Sequence, residues 1–126
     1  MIILDTHAWL WWLAAPNKLS RKAVRAIERA DRIGVSAASV YELTHLVERQ
    51  RLRLDVPIRS WVRDALSGIG IEPLTIDAEI ALDAAQLHLV GDPFDRIIYA
   101  TALARDAQLV TRDQRLRSWD ADRAIW

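Results

Sequence analysis

The sequence predicts an α/β fold in which a short, mainly parallel sheet carries helices on both of its faces. Short apolar runs alternate with helical segments in the order β-α-α-β-α-α-β-α-α-β, which is typical of a parallel sheet with crossover helices. Acidic residues follow several of the predicted strands, at the end where open α/β sheets bind ligands. A length of 126 residues with 52% hydrophobic residues predicts one domain, residues 1–126, with a substantial core.

The first strand and helix already contain two candidate functional features. Met1–Leu4 is a short apolar run that ends at Asp5. Taken alone, Asp5 is more simply explained as the N-cap of the following helix, His7–Ala14. That helix carries three tryptophans: Trp9, Trp11 and Trp12. Because they cannot all face one core, we expect at least one to form a surface contact site, with wide burial of all three as the alternative.

The second strand leads to an acid with two possible roles. Ser20 begins an amphipathic helix, and Val35-Ser36 forms the strand after it. In the next helix, Ser39-x-x-Glu42 matches a capping box, in which the glutamate accepts a hydrogen bond from the serine N–H. Glu42 also borders the apolar stripe of that helix, where a carboxylate needs a partner. Capping and ligand binding both remain open for Glu42.

The middle of the chain continues the alternation of helices and strands. Ile58–Gly68 is an amphipathic helix, and Ile71–Ile76 is the third strand. Pro73 lacks an N–H for the sheet, so this strand is expected either to lie at an edge or to begin late, at Leu74. Asp77 is the N-cap of a further helix that ends near His88.

The stretch from Gly91 to Asp113 organises the rest of the chain. Asp92 is expected to be an N-cap, with Pro93 at the first helical position and Asp95 in the first turn. The short strand 108–111 follows, and Asp113 comes just past its carboxyl end. After it we expect a turn over 114–119 and a last short strand over 124–126.

Four acids are therefore expected at one end of one sheet: Asp5, Glu42, Asp95 and Asp113. Carboxylates packed together repel one another unless a cation neutralises them. A site of oxygen ligands without cysteine favours a hard ion, Mg²⁺ or Mn²⁺. Such a site activates water and stabilises the transition state of phosphodiester hydrolysis.

The composition narrows the class of protein further. The formal net charge is zero, so the overall field does not indicate a nucleic-acid partner. Arginine makes up 15 of the 17 basic residues, which suits phosphate contacts or ordinary surface ion pairs. The absence of cysteine suits a reducing compartment, and no signal peptide or membrane segment is visible, so a cytoplasmic protein without a membrane partner is expected.

Four motifs, in this order, resemble those of PIN-domain ribonucleases: Asp5-Thr6, Ser39-Val40-Tyr41-Glu42-Leu43, Asp92-Pro93-Phe94-Asp95-Arg96 and Thr111-Arg112-Asp113. The nearest match is the VapC type, the toxins of bacterial and archaeal toxin–antitoxin pairs, and it covers nearly the whole chain. The resemblance implies a PIN-like three-layer α/β/α fold with a short, mainly parallel central sheet. It also implies an RNA substrate, Mg²⁺ or Mn²⁺ dependence, homodimerisation, and inhibition by a small cognate antitoxin.

The resemblance assigns roles to individual residues. The metal ligands and catalytic residues would be the four acids, Asp5, Glu42, Asp95 and Asp113. Supporting roles would fall to Thr6, Ser39, Asp92, Arg96 and Thr111. We further expect the antitoxin to bind Trp9, Trp11 and Trp12 in a groove with the helix after Ser36, with one of Trp11 and Trp12 in the core and the other as the anchor.

Three alternatives share parts of this pattern. A receiver-type phosphoacceptor domain needs a lysine near the site, but only Lys18 and Lys22 are present. A haloacid-dehalogenase-like phosphatase needs Asp-x-Asp after the first strand, where this chain has Asp5-Thr6-His7. A non-catalytic PIN-like module that binds RNA or protein would keep the fold and lose the metal, and the intact set of acids argues against it.

Overall fold

The computed structural model describes residues 1–88 and 90–126, which contain five strands and seven α-helices. The strands are β1 (Ile2–Leu4), β2 (Ile33–Ser36), β3 (Ile71–Leu74), β4 (Gln108–Val110) and β5 (Ala124–Ile125). The helices are α1 (Thr6–Ala14), α2 (Arg21–Arg29), α3 (Ala37–Glu48), α4 (Ile58–Leu66), α5 (Ala78–Ala85), α6 (Pro93–Ala104) and α7 (Gln114–Trp119). None of these helices combines the length and the apolar character that a membrane crossing requires.

The five strands form one parallel sheet in the order β3-β2-β1-β4-β5. The central strand β1 pairs with β2 through Ile3 and Gly34, and with β4 through Ile3 and Leu109. Pro73 lies in the edge strand β3, as the sequence predicted. Because β1 and β4 are neighbours that run in the same direction, Asp5 and Asp113 emerge at the same end of the sheet.

The sheet separates two apolar clusters, and this confirms the predicted three-layer α/β/α arrangement. Ile2 and Leu4 belong to the cluster that contains Trp9 of α1. Ile3, between them in β1, belongs to the cluster that contains Ile98 of α6. This alternation is expected of a strand, because successive side chains point to opposite faces of a sheet.

Gly34 permits close packing around the centre of the sheet. A Cβ atom at this position would lie 2.7 Å from Leu74 Cδ1 and 3.0 Å from Ile3 Cγ1. A larger residue would therefore push apart the side chains that join β1, β2 and β3.

The capping box predicted at Ser39 and Glu42 is wrong. Strand β2 runs directly into α3, so the N-cap is Ser36, whose Oγ accepts a hydrogen bond from the Ala38 N–H at 3.1 Å. Ser39 already lies inside the helix, and Glu42 follows it by nearly one turn. The segment 114–119, predicted as a turn, is the helix α7, and Asp113 is its N-cap.

The three tryptophans of α1 occupy different environments. Trp9 is fully buried and packs edge-on against Trp61, with ring centroids 5.1 Å apart. Trp11 and Trp12 are both half-buried, so the expectation that one of them fills the core is wrong. Trp9 holds the inward position, and the other two lie about 200° and 300° further around the helix. Because it is inaccessible, Trp9 is a core residue and not a direct partner contact.

Candidate metal centre

A cavity of about 390 Å³ opens at the carboxyl ends of β1 and β4. Three of the four predicted acids reach it, and its lining consists of Asp5, His7, Trp11, Asp95, Thr111, Arg112 and Asp113. The fourth acid, Glu42, is not part of the lining, but its charge raises the pKa of Asp95. The structure therefore brings the acids of four separate segments into one electrostatic neighbourhood.

Asp5 and Asp113 are held in place because each one caps a helix. Asp5 Oδ1 accepts a hydrogen bond from the Ala8 N–H at 2.7 Å. Asp113 Oδ1 accepts hydrogen bonds from the Arg115 and Leu116 N–H groups at 2.8 and 3.0 Å. Both caps use Oδ1, so the other oxygen of each carboxylate is not needed to hold its helix. The capping role expected for Asp5 is confirmed, and it is compatible with ligand binding.

The pKa of Asp95 is strongly raised by its surroundings. It follows Asp92, which caps α6 by accepting hydrogen bonds from the N–H groups of Phe94 (2.8 Å) and Asp95 (3.3 Å). The pKa of Asp95 is raised from 3.8 to about 7, mainly by burial of the carboxyl and further by the charges of Asp92, Glu42, Asp5 and Asp113, in that order. A carboxylate in this position favours either a proton or a cation beside it.

Burial also raises the pKa values of Asp5 and Glu42. For Asp5, the hydrogen bond from Ala8, the Thr111 hydroxyl and His7 oppose this rise. For Glu42, the Thr6 hydroxyl opposes it, while Asp92 and Asp5 add to it. Thr6 affects the carboxyl of Glu42 without meeting the full geometry of a hydrogen bond. The acids thus raise one another's pKa, as like charges in a shared site should.

The supporting residues divide into three groups. Thr111 is buried, its Oγ1 accepts a hydrogen bond from the Asp113 N–H at 3.1 Å, and its hydroxyl opposes the rise in the pKa of Asp5. The hydroxyls of Thr6 and Ser39 are buried, and neither finds a hydrogen-bond partner among the described residues. Arg96 donates through Nε to the carbonyl of Val90 and so holds the segment before α6.

The donor set fits a hard divalent ion by its chemistry: every candidate ligand is a carboxylate or hydroxyl oxygen. Within residues 1–88 and 90–126, no three histidine, aspartate or glutamate side chains are arranged as a ready-made shell for one ion. Two of the acids, Asp5 and Asp113, each use one carboxylate oxygen to cap a helix. The fit therefore rests on oxygen donors, concentrated negative charge and the buried unpaired hydroxyls.

The sequence reasoning missed the aromatic and basic side of the cavity. Arg112 packs over Trp11 and Trp126, with its Cζ 5.3 and 5.8 Å from the two ring centroids. His7 packs against Trp11 at 5.4 Å. The sequence offered one signal for this side of the cavity, the position of Arg112 between Thr111 and Asp113. It offered none for Trp126, because only the folded chain after α7 brings that residue to Arg112.

Comparison with known proteins is consistent with this geometry. Residues 2–121 match the family described as PIN domain. The chain is 42% identical over 120 residues to "Ribonuclease VapC22" of Mycobacterium tuberculosis. The aligned region covers 93% of this chain and 90% of that protein.

Two solved structures share the fold. A toxin–antitoxin complex from Klebsiella pneumoniae superimposes with a TM-score of 0.70 at 19% identity, covering 100% of this chain and 97% of the other. The VapBC2 complex from Rickettsia felis, bound to a promoter DNA fragment, gives 0.66 at 22% identity, covering 94% and 92%. With the family match across residues 2–121 and 42% identity along most of its length, this chain belongs to the PIN-domain family and is of the VapC type.

Proposed function

We propose that this protein is an endoribonuclease toxin that hydrolyses RNA phosphodiester bonds with Mg²⁺ or Mn²⁺ held by Asp5, Glu42, Asp95 and Asp113. The observation that carries the proposal is the convergence of these acids from four segments, which together with burial raises the pKa of Asp95 to about 7. Maintaining such a cluster costs stability, and a cation would offset that cost. The 42% identity to a protein named as a ribonuclease supports RNA as the substrate.

The protein's own residues would prepare the reaction in three ways. The caps at Asp5 and Asp113 fix two carboxylates against helix N-termini, so little reorganisation is needed when a ligand binds. Asp95 of α6 and Glu42 of α3 supply further negative charge. Thr111 couples Asp5 to Asp113, and the unpaired Thr6 and Ser39 hydroxyls are available to bound water. A bound ion would supply an activated water and stabilise the charge that develops on the phosphate and the leaving oxygen.

The proposal includes a small antitoxin as the partner and a homodimer as the assembly. Support for the antitoxin comes from two toxin–antitoxin complexes that share the fold and from the surface of this chain, and the homodimer is proposed on the family resemblance alone. A groove of about 430 Å³ lies between α3 and α4, with apolar lining from Val40, Ile58 and Val62 and polar lining from Thr44, Glu48, Arg59 and Arg63. The half-buried Trp12 offers an aromatic anchor on α1. A partner helix that covers these features would bury surface that is now open to solvent.

The proposed activity is tested with purified protein and total cellular RNA in EDTA, Mg²⁺ or Mn²⁺, followed by sequencing of the new RNA ends. We expect cleavage at defined sites with either metal and none in EDTA. Asp95→Asn should abolish it, whereas Asp83→Asn should not, because Asp83 is an exposed acid of α5 outside the cavity. Cleavage that persists in EDTA, or in the Asp95 variant, would contradict the proposed mechanism.

A further inference from the structure

The wall of the acidic cavity includes a cation that packs beside a pair of tryptophans, Trp11 and Trp126, whose rings meet edge to face with centroids 5.9 Å apart. The Arg112 guanidinium lies 5.3 Å from the ring centroid of Trp11 and 5.8 Å from that of Trp126. A second cation, the Lys18 ammonium, lies 5.7 Å from the same Trp11 ring. Arg112 and Trp11 both line the cavity that Asp5, Asp95 and Asp113 enter. A basic and aromatic rim therefore borders the acid cluster.

Arg112 does not pair with the acids beside it. Among the described residues it makes no salt bridge within 4.0 Å and no side-chain hydrogen bond. Its neighbour Asp113 directs Oδ1 to the backbone of α7. Arg112 shares the cavity with three carboxylates but contacts aromatic rings instead. Its N–H donors are therefore free to bind a ligand.

Contact with aromatic rings leaves the N–H donors of an arginine free to form hydrogen bonds. A guanidinium is planar, and its five N–H donors point outward in the plane. Contacts with the two rings limit the movement of the guanidinium and do not use its N–H donors. The donors of a fixed guanidinium match the geometry of a phosphate, and less side-chain entropy is lost when the phosphate binds.

We propose that Arg112 is an RNA-binding residue that contacts a phosphate of the strand beside the carboxylate cluster, and that Trp11 and Trp126 are positioning residues for its guanidinium. The inference rests on the proposed function, since it takes RNA as the substrate of the adjacent site. It identifies the chemistry that brings a polyanion to this cavity.

The balanced charge of the chain favours a local basic contact for RNA at this cavity. The protein has 17 basic and 17 acidic residues, so no overall positive field draws RNA to it. The acid cluster repels phosphates until cations neutralise it. Arg112 and Lys18 are the basic side chains that pack on the Trp11 ring within the described part of the chain, and Arg112 lines the cavity itself. They supply local positive charge where a strand must approach.

The test compares Arg112→Gln with Arg115→Gln, which removes an equal charge three residues further along the chain, outside the cavity lining. Binding of a labelled single-stranded RNA pool of random sequence is measured by fluorescence anisotropy over a range of salt concentrations, with Ca²⁺ present. We expect Arg112→Gln to weaken binding about threefold to tenfold and to reduce the salt slope by about 0.7, the share of one phosphate contact. Arg115→Gln should change the affinity by less than about twofold.

A second pair of variants separates the positioning role from a general loss of fold. Trp126→Leu should weaken RNA binding and reduce the salt slope, while Trp126→Phe, which keeps an aromatic face, should restore part of both. Thermal melts check that all variants are folded. Equal affinities and slopes for the Arg112 and Arg115 variants would overturn the inference while wild-type, metal-dependent cleavage still upheld the proposed function. Absence of both RNA binding and cleavage in the wild type would overturn both proposals.

Discussion

Replacing Asp95 with asparagine should stabilise the metal-free protein while it removes activity. Burial and four neighbouring carboxylates raise the pKa of Asp95 from 3.8 to about 7. Asparagine has nearly the same shape and carries no charge, so it escapes this penalty. At about 1.4 kcal/mol for each pH unit between the two values, the full cost of ionised Asp95 is about 4 kcal/mol. Because the side chain is only half-buried, solvent screening reduces the expected gain to about 2 kcal/mol.

The sign of the effect with pH follows from proton linkage. Between about pH 4 and pH 7 the folded protein retains a proton on Asp95 that the unfolded chain has released. Wild-type stability therefore falls as the pH rises through this window, and the variant avoids that fall. The advantage of the variant should be small near pH 4, grow towards pH 7 and level off above it.

Thermal melts in EDTA at about pH 4.5 and about pH 8 measure the effect. For a chain of this size, a gain of about 2 kcal/mol corresponds to a rise of about 5–10 °C in Tm at the higher pH. Asp83→Asn, at an exposed position of α5, serves as the control and should leave the Tm nearly unchanged. Excess Mn²⁺ should raise the wild-type Tm more than that of the variant. An Asp95 variant that melts below wild type at about pH 8 in EDTA would refute the electrostatic reasoning.

Three further substitutions test separate parts of the structure. Glu42→Gln should leave the Tm unchanged or slightly raised, because Glu42 caps nothing, and should abolish metal-dependent RNA cleavage; an active variant would remove Glu42 from the site. Ser36→Ala should lower the free energy of unfolding by about 1 kcal/mol in denaturant melts, whereas Ser39→Ala should be nearly neutral; the reverse order would restore the capping box. Trp9→Ala should cost about 3–5 kcal/mol by the same measurement, and Trp12→Ala less than half of that; equal losses would contradict the assigned burial.

The topology could be predicted from the sequence because its signals are local and strong. The short apolar strands, the edge position of β3 and the caps at Asp77 and Asp92 all follow from patterns within a few residues. The sheet then determines the placement of the acids, since β1 and β4 are parallel neighbours. The convergence of Asp5 and Asp113 was therefore within reach of sequence reasoning.

The errors occurred where tertiary context decides between two plausible local patterns. Ser36 and Ser39 both precede apolar helical residues, and only the direct run of β2 into α3 selects Ser36 as the cap. The tryptophans of α1 all fit a broad apolar face, and Trp61 of α4 determines that Trp9 fills the core. Trp126 packs beside Arg112 because the chain after α7 returns to the cavity, and no local sequence pattern predicts that return.

The capping roles of the site acids explain why a costly cluster can persist in a small domain. Asp5, Asp92 and Asp113 each accept backbone hydrogen bonds at the start of α1, α6 and α7. Three helix N-termini thus direct their partial positive charge towards the cluster and offset part of its repulsion. Asp95 keeps a high pKa despite its place in the first turn of α6, because its carboxyl is partly buried and the other acids surround it. The residues that act as local helix caps therefore also reduce the electrostatic repulsion within the acid cluster before any cation binds.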